Sequence, residues 1–125
     1  MTTKTGQRIL VVEDEKAIQS LERDKLERAG YEVDTADDGR QAWEKIQDNE
    51  YELILIDIFL PKMDGFQLLN KIKSQRIPVK KVVLSSKSQD RYINKAYNLG
   101  ADDYLTKPFD SKVVLTTIDN LLEQG

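Results

Sequence analysis

The most constraining feature of this chain is the run Leu53–Ile56, four apolar residues without polar alternation, closed by Asp57. A strand without alternation is covered on both faces, as the strands of a parallel sheet are. Arg8–Val12 is a second such run, rich in β-branched residues and followed by acids. Tyr31–Ala36, Val79–Leu84 and Asp103–Thr106 read as three more strands. Helical stretches lie between them. Glu15–Ala29 carries Ala17, Ile18, Leu21, Leu26 and Ala29 on an imperfect apolar face, and Gly30 stops it. Asp37-Asp38-Gly39 is a turn, and Arg40–Asp48 a helix burying Ala42, Trp43 and Ile46. Phe66, Leu68, Leu69 and Ile72 mark a third helix, and Ile93, Ala96 and Tyr97 one face of a fourth at Asp90–Leu99. Val114, Ile118, Leu121 and Leu122 define the last. Strict strand–helix alternation predicts an α/β fold, a parallel sheet with helices on both faces.

The length, 125 residues, suits one domain with its own core. Nineteen basic against twenty-two acidic residues leave a net charge of -3, no electrostatic reason to expect nucleic acid or an anionic membrane. The chain has no cysteine and no histidine, which removes disulfides, thiol catalysis, histidine-assisted nucleophiles and most transition-metal sites. Chemistry must then run on carboxylates, hydroxyls, lysine and backbone, with a hard oxygen-loving cation as the expected metal. The polar start lacks the apolar run of a signal peptide, and no stretch approaches the ~20 apolar residues of a membrane span. A cytoplasmic location is the expectation.

In open parallel sheets, ligands bind beyond the carboxyl ends of the strands. Glu13 and Asp14 follow the first strand, Asp57 the third, Ser85 and Ser86 the fourth, and Lys107-Pro108 the fifth. Each has an ordinary reading: Asp14 as a helix N-cap, Asp57 as a capping carboxylate, Ser85 as a strand-end turn, Lys107 as a surface turn. Their joint placement points elsewhere. Three close carboxylates repel unless a cation screens them, and magnesium suits a partly open acidic site. A carboxylate beside magnesium can attack phosphorus, a lysine neutralises phosphate, and a hydroxyl hydrogen-bonds it. Phosphoryl transfer proceeds by such positioning and charge stabilisation.

The motifs Val11-Val12-Glu13-Asp14-Glu15, Leu55-Ile56-Asp57-Ile58, Leu60-Pro61-Lys62-Met63-Asp64-Gly65 and Leu84-Ser85-Ser86 stand in this order. They are followed by Gly100-Ala101-Asp102-Asp103-Tyr104-Leu105-Thr106-Lys107-Pro108-Phe109. Together they resemble the response-regulator receiver domain of two-component signalling, of the chemotaxis-regulator-like superfamily. The resemblance runs from about Arg8 to about Leu122 and implies residues 1–125 as a single receiver domain, with no effector domain visible. It implies a flavodoxin-like, doubly wound fold with five strands in the order 2-1-3-4-5 and five helices. Asp57 matches the phosphoacceptor, charged from a phosphohistidine on a partner histidine kinase or histidine phosphotransfer protein. Asp14 matches a direct Mg2+ ligand and Glu13 a residue holding metal-bound water; Asp57 and the Phe59 backbone carbonyl complete that set. Ser85 matches the hydroxyl that moves to the phosphoryl group. Lys107 matches the lysine that binds it, with a cis bond to Pro108. Tyr104 matches an aromatic switch that turns inward with Ser85. It thereby changes the surface of helix four, strand five and helix five for a downstream protein.

Phe59 and Lys87 stand two residues past Asp57 and Ser85, positions that tune dephosphorylation in the family. Phe59 is expected to restrict water, and Lys87 to alter phosphodonor or phosphatase access. Receivers of winged-helix transcription factors pair acidic and arginine residues in helix five across a dimer. Val113 and Thr117 stand there instead, which argues against that dimer and leaves a weak phosphorylation-dependent one open. Trp43 reads as partly buried packing, and of Tyr92 and Tyr97 one is a candidate for exposure on the output face. Three rival readings fit less well. A haloacid-dehalogenase-type phosphohydrolase needs a second acid where Phe59 stands. A flavin or dinucleotide carrier needs a phosphate-cradling loop where Glu13 and Asp14 would repel phosphate. A degenerate scaffold would not need the full set of Glu13, Asp14, Asp57, Ser85 and Lys107. The domain is expected to be no enzyme beyond catalysing its own phosphorylation and dephosphorylation. A stand-alone regulator is slightly favoured over a piece of a longer protein.

Overall fold

The computed structural model describes residues 7–108 and 110–123; Phe109 and the polar start lie outside the described residues. Strands β1 (Arg8–Val12), β2 (Glu32–Ala36), β3 (Leu53–Asp57), β4 (Lys80–Ser85) and β5 (Asp103–Thr106) alternate with five helices. These are α1 (Lys16–Arg28), α2 (Gly39–Asp48), α3 (Gly65–Ser74), α4 (Asp90–Asn98) and α5 (Ser111–Glu123). The strands form one parallel sheet in the order β2-β1-β3-β4-β5.

Successive strand residues point to opposite faces, so the unbroken apolar runs feed two cores. Leu10, Val12, Ile54, Ile56 and Val83 pack beneath α2, α3 and α4. Ile9, Val11, Leu53, Leu55, Val82 and Leu84 pack beneath α1 and α5. The strand order reverses at β1, flanked by β2 and β3, which opens the crevice at the carboxyl edge there. Asp38 caps α2 by accepting the Gln41 N–H at 2.7 Å, so Gly39 belongs to that helix and not to a turn. Asp64 caps α3 in a reciprocal box with Gln67. Gly65 lets α3 start against the sheet: a Cβ there would sit 2.6 Å from the Asp57 carbonyl oxygen.

Helix α1 departs most from its sequence pattern. Ala17 and Leu21 face solvent, with Leu21 54% exposed, while Gln19 and Leu26 are buried. The inner face follows positions 19, 22 and 26, and two of these are polar. The Gln19 amide donates to the carbonyls of Glu13 (2.8 Å) and Ala36 (3.3 Å) and to Asp37 Oδ1 (2.9 Å), stitching α1 to two strand ends. Glu22 lines a cavity of about 130 Å3 with Ile18, Leu26, Leu55, Val114 and Leu115. Its Oε2 is buried and has no hydrogen-bond partner among the described residues. Burial first, and then repulsion from Glu13, push its carboxyl up to about 8.

A carboxyl raised in the fold binds more protons there than in the unfolded chain, so its cost grows as pH climbs from its ordinary value towards the raised one. Glu22→Leu is therefore expected to stabilise the protein by roughly 2 kcal/mol at pH 8 and by much less at pH 4. Urea unfolding at both pH values measures the difference; an equal gain at both would show that the fold does not raise the Glu22 carboxyl.

Candidate functional site

Four strands deliver side chains to the carboxyl edge. Asp57 and Ser85 are the last residues of β3 and β4, one position earlier than the sequence reading put them, and Lys107 directly follows β5. Being within the ladder fixes their backbones: Asp57 is in register with Leu84, and Ser85 with Thr106. The Glu13 N–H bonds the Ala36 carbonyl at 3.1 Å, extending β1 towards the acids.

One carboxylate oxygen each of Glu13, Asp14 and Asp57 lies within 4.8 Å of the others. Glu13 is buried, Asp57 half-buried and Asp14 exposed, so the cluster opens to solvent on the Asp14 side. Lys107 Nζ reaches Glu13 Oε1 at 3.2 Å and Asp57 Oδ2 at 3.3 Å. Burial pulls its ammonium down, but Asp57 and Glu13 outweigh that and hold it above the ordinary lysine value. Glu13 is pushed up, chiefly by burial, against the Glu15 amide, with Asp57 adding to the push and Lys107 opposing it.

The ordinary readings divide. Helix α1 starts at N-cap Glu15 with no side-chain cap, and the Glu15 N–H goes to Glu13 Oε2 at 3.1 Å. Asp14 therefore makes no cap and faces the cluster. Asp57 does cap its loop, accepting the Phe59 N–H at Oδ1 (3.1 Å), while Oδ2 faces Lys107. Ser85 is fully buried, its Oγ accepting the Lys87 N–H at 3.0 Å. Its carbonyl accepts the Lys107 N–H at 2.7 Å. Tyr104 is turned inward, 9% exposed, and donates its hydroxyl to the Lys87 carbonyl at 2.6 Å. The Lys87 peptide thus sits between Ser85 and Tyr104. The Lys107-Pro108 bond is cis.

Phe59 stands half-exposed beside the cluster, its edge against Tyr92 with ring centres 5.9 Å apart, and Lys87 Nζ lies 5.6 Å from its ring centre. Tyr97 is the exposed tyrosine of α4, and Tyr92 and Trp43 pack partly into the core. The sequence reading missed Gln19 and Glu22. Their signal was positional, the same helix face as Leu26, and counting apolar residues alone passes over it.

An all-oxygen set of three converging carboxylates fits a small hard dication and no soft metal. The arrangement is similar to proteins already known. The family model for the response regulator receiver domain matches residues 9–119. The alkaline phosphatase synthesis transcriptional regulatory protein PhoP of Bacillus subtilis is 36% identical over 120 residues, 96% of this chain and 50% of that protein. The chain spans about half the length of the curated relatives it matches. Among solved structures, the Francisella response regulator 1452 receiver domain superposes with a TM-score of 0.91 at 31% identity, over 95% of this chain and 98% of that one. The response regulator protein TrrA from Thermotoga maritima, in complex with Mg2+ and BeF, superposes with a TM-score of 0.83 at 31% identity, over 92% of this chain and 98% of that one. This chain belongs to the response-regulator receiver domains of two-component signalling.

Proposed function

We propose that this receiver, residues 1–125 as one unit, works in the cytoplasm and takes a phosphoryl group onto Asp57 from a phosphohistidine of a partner histidine kinase or histidine phosphotransfer protein. The observation that carries the reading is the lysine bridging two of three carboxylates that converge within 4.8 Å at one sheet edge. Glu13, Asp14, Asp57 and the Phe59 carbonyl would hold Mg2+, which when bound neutralises the acids and polarises the phosphoryl oxygens. An Asp57 carboxylate oxygen attacks phosphorus, the phosphorus–nitrogen bond of the donor breaks, and the imidazole nitrogen leaves with the electron pair and takes a proton. Lys107 is already aimed at Asp57 and can pass to the incoming phosphoryl oxygens. Phe59 and Lys87 flank the entrance and bear on how water and donors approach.

The switch follows from the Lys87 peptide. If the Ser85 hydroxyl turns to the phosphoryl group, the Lys87 N–H loses its acceptor, and the carbonyl on the same residue holds Tyr104. A change at Ser85 therefore biases Tyr104 and the surface of α4, β5 and α5, where a downstream protein would read it.

Intact mass after incubation with Mg2+ and a small-molecule phosphodonor should show one added phosphoryl group on the wild type and none on Asp57→Asn. An unlabelled wild type sinks the proposal, and equal labelling of the variant moves the acceptor elsewhere. Tyr104→Phe should still be labelled but lose the hydroxyl anchor on Lys87. Hydrogen exchange of residues 86–89 is then expected to be faster than in the wild type, and unchanged exchange would remove Tyr104 from the relay.

A further inference from the structure

The net charge of -3 hides a strong asymmetry: residues 59–100 hold nine Lys and Arg against two Asp and Glu, a net of +7. The rest of the chain therefore carries -10. Part of this excess gathers on the face formed by α3, α4 and the loop after β3. There Lys87, Arg91 and Lys95 each lie over a ring instead of beside an acid. Lys87 Nζ is 5.6 Å from the Phe59 ring centre, the Arg91 guanidinium carbon 4.8 Å from that of Tyr92, and Lys95 Nζ 4.5 Å from that of Phe66. Among the described residues, none of these three cations forms a salt bridge. The rings form one stack: Tyr92 lies parallel to Phe66, centres 6.4 Å apart, and meets the edge of Phe59.

We propose that this α3–α4 face is a docking surface for an acidic segment of a partner protein, anchored on the half-exposed Phe59 ring and bound through Lys87, Arg91 and Lys95. It lies on the α3 side of α4. The opposite side is marked by Tyr97, whose hydroxyl meets Asp103 of β5, so the two sides of α4 can serve different partners. Cation–ring stacking orders the long side chains before a partner arrives, which lowers the entropy lost on binding. A carboxylate then finds unneutralised cations around an aromatic anchor, the kind of cluster that concentrates binding energy. Single-stranded nucleic acid is the weaker fit. It needs successive open ring faces, whereas Phe66 is buried, Tyr92 half-buried and only Phe59 open.

The test uses the isotope-labelled full chain without a phosphodonor, so it is independent of phosphorylation at Asp57. Three probes are titrated: a short glutamate-rich peptide carrying phenylalanine, its glutamine counterpart and an oligothymidylate. With the acidic peptide, amide shifts should cluster at residues 59–66 and 87–95 and fade as salt is raised. The paired reversal Arg91→Glu with Lys95→Glu, at two exposed positions, should weaken binding about tenfold or more. Shifts elsewhere, equal binding of the glutamine peptide, tighter binding of the oligothymidylate, or no shift at all would each overturn the proposal. The wild-type shift map decides even if the reversed variant folds poorly.

Discussion

Everything at the functional edge depends on Lys107 holding two carboxylates that would otherwise repel each other. Glu13 and Asp57 end different strands, and Lys107 joins them from a third, at 3.2 and 3.3 Å. The sheet supplies the rigidity. The ladder that pairs Asp57 with Leu84 and Ser85 with Thr106 sets where each side chain emerges. With Glu13 buried and Asp14 open to solvent, the cluster is neither a closed structural ion pair nor a solvated acidic patch. It is an acid-rich site already pulled together by one cation and able to take another.

The same economy appears in the path away from the site. Among the described contacts, the Lys87 residue meets Ser85 through its N–H, Tyr104 through its carbonyl and Phe59 through its ammonium. A single residue thus touches the hydroxyl, the aromatic and the ring at the site mouth. The proposed relay requires discrete alternatives at both ends of this residue, a rotating hydroxyl at Ser85 and an inward or outward ring at Tyr104.

Much of this was legible in the sequence because the controlling signals are local. Leu53–Ile56 without alternation required a strand covered twice, and the structure buries all four residues. The strand-end rule then places Glu13, Asp14, Asp57, Ser85 and Lys107 at one edge. The resemblance supplied the strand order, which spacing alone did not. What escaped was set by neighbours far along the chain. The inner face of α1 is built on Gln19 and Glu22 because strand-end carbonyls and an apolar slot beside α5 meet it there. Leu21 pays for that by facing water. The cation–ring pairs of α3 and α4 arise between residues up to dozens of positions apart, which no period of 2 or 3.6 encodes.

The account rests on the three carboxylates acting as one cation site centred on Asp57. Thermal unfolding across a Mg2+ titration, wild type beside Asp57→Asn, tests this most directly. A ligand at free concentration L that binds only the folded state stabilises it by RT ln(1 + L/Kd), so the melting temperature keeps climbing as ligand is added. The wild type should therefore rise steadily with Mg2+, and the variant much less. Equal rises, or a wild type indifferent to Mg2+, would contradict the account.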